Sequence, residues 1–109
     1  MADVLGAFEQ AVMVAILRLG PEAYGRGILR EIQDRLARDV AAGAVYATLD
    51  RLEAKGLVGS KTAPGTAERG GRARRYYNVT GAGVRALNAS KTAIDNIWRG
   101  LTWPLKNRG

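Results

Sequence analysis

A mainly α domain with one small β-hairpin is the fold class that the sequence predicts. Three observations predict it. Apolar residues recur at spacings of three and four in three successive segments before residue 56. Two β-prone runs follow, separated by a stretch rich in Gly and Arg. A fourth segment with helical spacing then closes the chain. At 109 residues, 47% hydrophobic and 25% charged, the chain has the size of one domain and a globular composition. A single core of this size is small, so a subunit interface would help it.

The first helix is expected over residues 5–19, where Leu5, Phe8, Val12, Ile16 and Leu19 share a stripe. The run Ala11–Leu17 is apolar on every side, which predicts a helix central to the core or covered by a partner. Gly20-Pro21 ends it. A second helix, Tyr24 to Arg38, sets Tyr24, Ile28, Ile32 and Leu36 on one face. After a short break at 39–43, a third helix runs from Ala44 to Lys55. Val45, Leu49 and Leu52 form its inner stripe, and Tyr46, Thr48, Asp50 and Arg51 are expected around its surface. Gly56 stands where a helix C-terminal glycine belongs. Leu57–Ala63 and Arg74–Val79 read as strands, with Pro64–Ala73 as a flexible hairpin tip. Thr80 can cap a last helix that runs to Trp103, with Pro104 marking the exit. Along it Val84, Leu87, Lys91, Ile94, Trp98 and Leu101 make a heptad seam with one polar interruption.

Composition narrows function. There is no Cys and no His. Disulfides, thiolate or imidazole metal sites, Cys nucleophiles and Ser-His triads are therefore excluded, and no catalytic residue, metal site or cofactor is expected. The net charge is +7 and is unevenly placed. Residues 1–50 carry five basic and seven acidic side chains, residues 51–109 twelve and three. The second half is thus the natural partner of a polyanion. Within it, Lys61, Arg69, Arg72, Arg74 and Arg75 face only Glu68 across the hairpin segment. No targeting segment is visible and the apolar run is far shorter than the ~20 residues that span a bilayer, so a cytoplasmic protein with no membrane partner is expected.

Three helices followed by a basic hairpin describe a winged helix-turn-helix. In that architecture the third helix enters the DNA major groove and the hairpin reaches the flanking backbone or minor groove. Residues 1–79 are read as this DNA-binding domain and 80–104 as a C-terminal dimerisation helix. Several motifs then point further. They are Tyr24-Gly25, Val45-Tyr46-x-Thr48-Leu49-x-Arg51-Leu52-Glu53, Gly56-Leu57-Val58, and Tyr76-Tyr77-x-Val79-Thr80-x-x-Gly83. In this order, over residues 5–90, the chain resembles the PadR family of bacterial transcriptional regulators. The resemblance implies homodimeric, DNA-binding repressors with a C-terminal dimerisation helix. In some members it also implies a small hydrophobic or phenolic effector near the dimer centre. Two departures stand out. Ala41 sits where relatives often place a Ser cap for the recognition helix, and the C-terminal helix is short, as in the compact branch.

The expected DNA contacts are Tyr46, Thr48 and Arg51 on the third helix, and Lys61, Arg69, Arg72, Arg74 and Arg75 on the wing. The Tyr46 hydroxyl can donate to a phosphate. Thr48 can touch a base edge, and Arg51 can span guanine O6/N7 or hold a phosphate. Val84, Leu87, Ile94, Trp98 and Leu101 are the expected dimer seam, and Trp98 is also the candidate effector contact. Of Tyr76 and Tyr77, Tyr77 with Val79 is expected in the core. Two alternatives remain at this level: a winged-helix module that binds protein without specific DNA binding, and a non-specific nucleic-acid or ribosome-associated protein.

Overall fold

A computed structural model describes residues 4–107. Its order is α1 (Ala7–Leu19), α2 (Gly25–Leu36), α3 (Ala42–Ala54), β1 (Val58–Ala63), β2 (Arg74–Val79) and α4 (Gly81–Trp98). Short 3₁₀ turns at Gly20–Glu22 and Ala67–Arg69 close the first connection and the hairpin tip. Helices α1 to α3 pack around one core that includes Val12, Met13, Ile16, Ile28, Ile32, Val45, Leu49 and Leu52. Each fully buried aliphatic side chain of this kind contributes about 1.5–3 kcal/mol by leaving water.

β1 and β2 pair antiparallel from Val58↔Val79 to Ala63↔Arg74. The free edge of β2 is used as well. Tyr24 bridges to Tyr76, and the Tyr77 N–H donates to the Ala23 carbonyl at 2.8 Å. The wing is thereby stitched to the entrance of α2. Tyr77 is buried, with Val79 packed on the same core, as the sequence predicts.

Thr80 caps α4 by accepting from the Gly83 N–H at 3.0 Å, and its own hydroxyl donates to the Gly56 carbonyl. Gly56 closes the preceding turn in the left-handed region, at φ +76°. Gly83 is glycine for space: a Cβ there would collide with the Leu57 carbonyl and lie 2.7 Å from Val79 Cγ1. The Thr-x-x-Gly spacing is therefore what lets α4 sit directly against the base of the hairpin.

α1 buries Val12, Met13, Ala15 and Ile16 in the core, while Leu17 is 52% exposed and Val14 also faces out. Four expectations need correction. Helix α2 starts at Gly25 because Tyr24 is in extended backbone as part of the bridge, and its last residue, Leu36, is exposed. Thr48 is not on the surface of α3; it is 2% exposed and completes the inner stripe. The hairpin tip is not a loose loop. The 3₁₀ turn, Gly70 and Gly71 at φ +64° and +78°, and the Arg69 guanidinium on the Pro64 carbonyl fold it onto itself. Finally, α4 stops at Trp98 and does not reach Trp103. Arg99 turns extended and Gly100 takes φ +87°, so Leu101 and Trp103 lie beyond the helix.

Candidate nucleic-acid interface

The N-terminal half of α3, the start of α2 and the wing surround one open concavity of about 590 Å³. Tyr24, Gly25 and Tyr46 form its floor, with Arg26, Arg72 and Arg74 among the cations around it. Tyr46 is placed by two features of the sequence. The inward stripe of α3 turns it toward α2, and Gly25 leaves room for its ring. A Cβ on Gly25 would lie 2.6 Å from the Tyr46 hydroxyl oxygen and 2.9 Å from Cζ. The phenol thus lies across the first turn of α2, whose Tyr24 cap has no side-chain hydrogen bond to that turn. Unsatisfied N–H groups at a helix start favour an anion. The Ala41 cap of α3 likewise makes no side-chain hydrogen bond, leaving the first amides of that helix to another acceptor.

The expected wing cations have different surroundings. Arg74 stacks on Tyr24, its Cζ 3.9 Å from the ring centroid, and Tyr24 meets Tyr76 edge-on at 6.1 Å. Arg75 bonds Glu53 of α3 at 2.8 Å and the Ser60 hydroxyl at 2.9 Å, while that hydroxyl donates to the other Glu53 oxygen at 2.6 Å. This closed ring joins the wing to α3. Arg69 is held by the Pro64 and Arg72 carbonyls. Arg72 stands beside it, exposed, with a long bond to the Arg69 carbonyl. Lys61 is exposed on a separate depression with Pro21 and Tyr76.

On α3 the structure separates the three expected contacts. Tyr46 opens on the concavity. Thr48 is buried and accepts from Arg51 Nη2 at 3.1 Å. Five residues at about 100° each put Arg51 on the opposite flank from Tyr46. There it faces Glu9 of α1. Partial burial pushes the Glu9 carboxyl up, but the Gly6 N–H, the Lys55 ammonium and Arg51 outweigh this and hold it below its ordinary value. Tyr77, behind the wing, has its phenol pushed up by burial, against the pull of Arg75.

The expected seam on α4 splits in the same way. Gly83, Ala86, Leu87 and Ser90 face the chain's own core. Val84, Ile94 and Trp98 are exposed, joined by Ile97 at 71%. Leu101 is exposed past the helix end, and Trp98 and Trp103 pack edge-to-face at 5.6 Å. Ser90 had no sequence signal; it is fully buried and accepts from the Leu5 N–H at 2.9 Å.

Comparison with known proteins decides what this arrangement belongs to. The model of the transcriptional regulator PadR-like family matches residues 13–89. The chain belongs to the PadR-like family of transcriptional regulators. The transcriptional regulator Rv3488 of Mycobacterium tuberculosis is 37% identical over 78 residues, 72% of this chain and 68% of that protein. A PadR-like transcription factor from Bacteroides fragilis superposes with a TM-score of 0.67 at 25% identity, over 83% of this chain and 82% of its own. A PadR family regulator from Clostridium difficile superposes at 0.60 with 27% identity, over 84% and 95%. The winged helix expected of a PadR protein is therefore the observed fold. Among the described residues no helix is long and apolar enough to cross a membrane, and no acidic cluster is suited to hold a metal ion.

Proposed function

We propose that this PadR protein is a cytoplasmic repressor that binds double-stranded DNA as a homodimer at an inverted-repeat operator. The observation that carries the reading is the single basic concavity shared by α3, α2 and the wing. In it Tyr46 is half exposed, Arg74 opens strand β2, and Arg72 lies two residues before it on the hairpin tip. Tyr46 and the start of α2 hold a phosphate; Arg72 and Arg74 follow the backbone beside the groove. Arg51 and Lys61, on other flanks, reach phosphates further out. Thr48 acts by bonding Arg51 and not by touching a base. Arg69 shapes the tip, and Arg75 holds the wing to α3.

The second copy covers Val84, Ile94, Ile97 and Trp98 of α4, together with Leu101, because a small domain does not leave such a stripe in water. The segment to residue 104 is thus the dimerising part. Two α3 helices then enter successive major grooves about 34 Å apart. A flat hydrophobic or phenolic effector at Trp98 acts by changing the setting of the two heads, since a mismatch with the groove repeat forfeits one half-site.

Selection of bound sequences from a random duplex pool tests this. The expected result is a palindromic motif with half-sites about one helical turn apart. Binding without a motif, or no binding, contradicts the reading and favours a protein-interaction module.

A further inference from the structure

Asp50 is the side chain of α3 whose role the interface described above leaves open. Val45, Thr48, Leu49 and Leu52 point into the core and fix the rotation of the helix. Gly43, Ala47, Asp50 and Ala54 consequently stand on the far side, all of them exposed. Three of these four offer a base edge only a hydrogen or a methyl group, so the helix presents a thin face that can enter a groove deeply. The other polar side chains are occupied elsewhere. Tyr46 leans onto Gly25, Thr48 is buried, Arg51 bonds Thr48, and Glu53 is tied to Arg75 and Ser60. Asp50 makes no hydrogen bond or ion pair with another described residue, and within the chain its charge acts on the Tyr77 phenol.

A carboxylate in the middle of a face that meets a polyanion is repelled unless it finds a donor. In the major groove the donors are the exocyclic amino groups of cytosine and adenine. Adenine sets its N7 acceptor beside that amino group, against the second carboxylate oxygen. Cytosine sets a C–H there, which a carboxylate tolerates.

We propose that Asp50 is a specificity-determining residue that accepts a hydrogen bond from the N4 amino group of one cytosine in each half-site. The proposal rests on the reading of α3 as the DNA-recognition helix. It also explains how a helix with so few polar outward residues discriminates at all: one acceptor reads a donor, and Ala47 beside it leaves space for a thymine methyl group.

The test is the random-duplex selection with the full wild-type chain and with Asp50→Ala and Asp50→Asn, followed by binding of duplexes altered at single positions. Wild type should enrich cytosine at one position per half-site and lose roughly 5- to 150-fold in affinity when that base pair is changed. Asp50→Ala should keep the rest of the motif and lose preference there. Asp50→Asn should shift the preference to adenine, because an amide pairs with both N6 and N7. Since Asp50 is exposed, thermal melts of the variants should match wild type. A motif left unchanged by both substitutions, with affinity rising equally for every sequence, would overturn the proposal and leave Asp50 as mere repulsion. A wild type that selects no motif overturns the underlying reading of α3 instead.

Discussion

The Tyr46 ring occupies the space that any side chain at residue 25 would need. On helix propensity alone, alanine in place of a helical glycine is favourable by up to ~1 kcal/mol. Gly25→Ala should nevertheless lower the melting temperature, because its methyl group must displace the phenol. In a Tyr46→Ala background the same change should be neutral or stabilising. Thermal unfolding of the four proteins checks this, and equal destabilisation in both backgrounds would show that the ring does not depend on Gly25. On duplex DNA, Gly25→Ala should weaken binding about as much as Tyr46→Ala, with the double variant no worse. The Tyr-Gly pair is visible in the sequence as a motif, but this reason for it is not. Twenty-one positions separate the glycine from the ring, and no local pattern reports a contact of that kind. Thr48 escapes sequence reasoning for a related cause. A threonine at an apolar position reads as surface until its hydroxyl is seen to accept from Arg51.

Among the elements, those with strong periodicity are legible. The inner stripe of α3, the hairpin strands and the Thr80 cap all fall where spacing and capping chemistry put them. The end of α4 is misjudged because Leu101 continues the heptad past Gly100, and periodicity takes no account of backbone conformation. The two faces of α4 merge in the sequence for lack of any sign that Ser90 faces inward to meet Leu5, 85 residues away. The tie between α1 and α3 gives a test at this scale. Glu9 bonds the Gly6 N–H at 3.2 Å and Lys55 at 3.2 Å, and its pKa is held below the ordinary 4.5. A depressed carboxylate contributes stability that is present above its unfolded pKa and is lost as pH falls through the folded one. Glu9→Gln should therefore reduce stability at neutral pH and leave it unchanged at strongly acid pH. Denaturant unfolding across pH checks this; a deficit that does not vary with pH would show that the charge of Glu9 is idle.

At the scale of the whole molecule, charge and apolarity are segregated. The acidic first half supplies most of the core, and the basic second half carries the wing and completes the core with Leu52, Val58, Tyr77 and Ala86. Besides a smaller group at Val14, Leu17 and Leu36 of α1 and α2, exposed apolar residues form one stripe on α4 and the segment after it. A dimer joined there would present two wings and two α3 helices to one duplex. Basic composition makes a polyanionic partner legible. It cannot show that Arg69 and Arg75 are engaged within the protein, so the proposed wing contacts to DNA fall to Arg72 and Arg74 beside the concavity and to Lys61 further out. The most direct measurement of the central claim is the salt dependence of duplex affinity for wild type and for Arg72→Ala with Arg74→Ala. The account predicts a steep fall of log K with log salt in wild type. In the double variant the slope should flatten by about 0.9 for each phosphate that is no longer neutralised, and a dimer has up to about four such phosphates, one per removed guanidinium. A slope that the double variant leaves unchanged would contradict it, and would make the wing a solvated face and not a part of the interface.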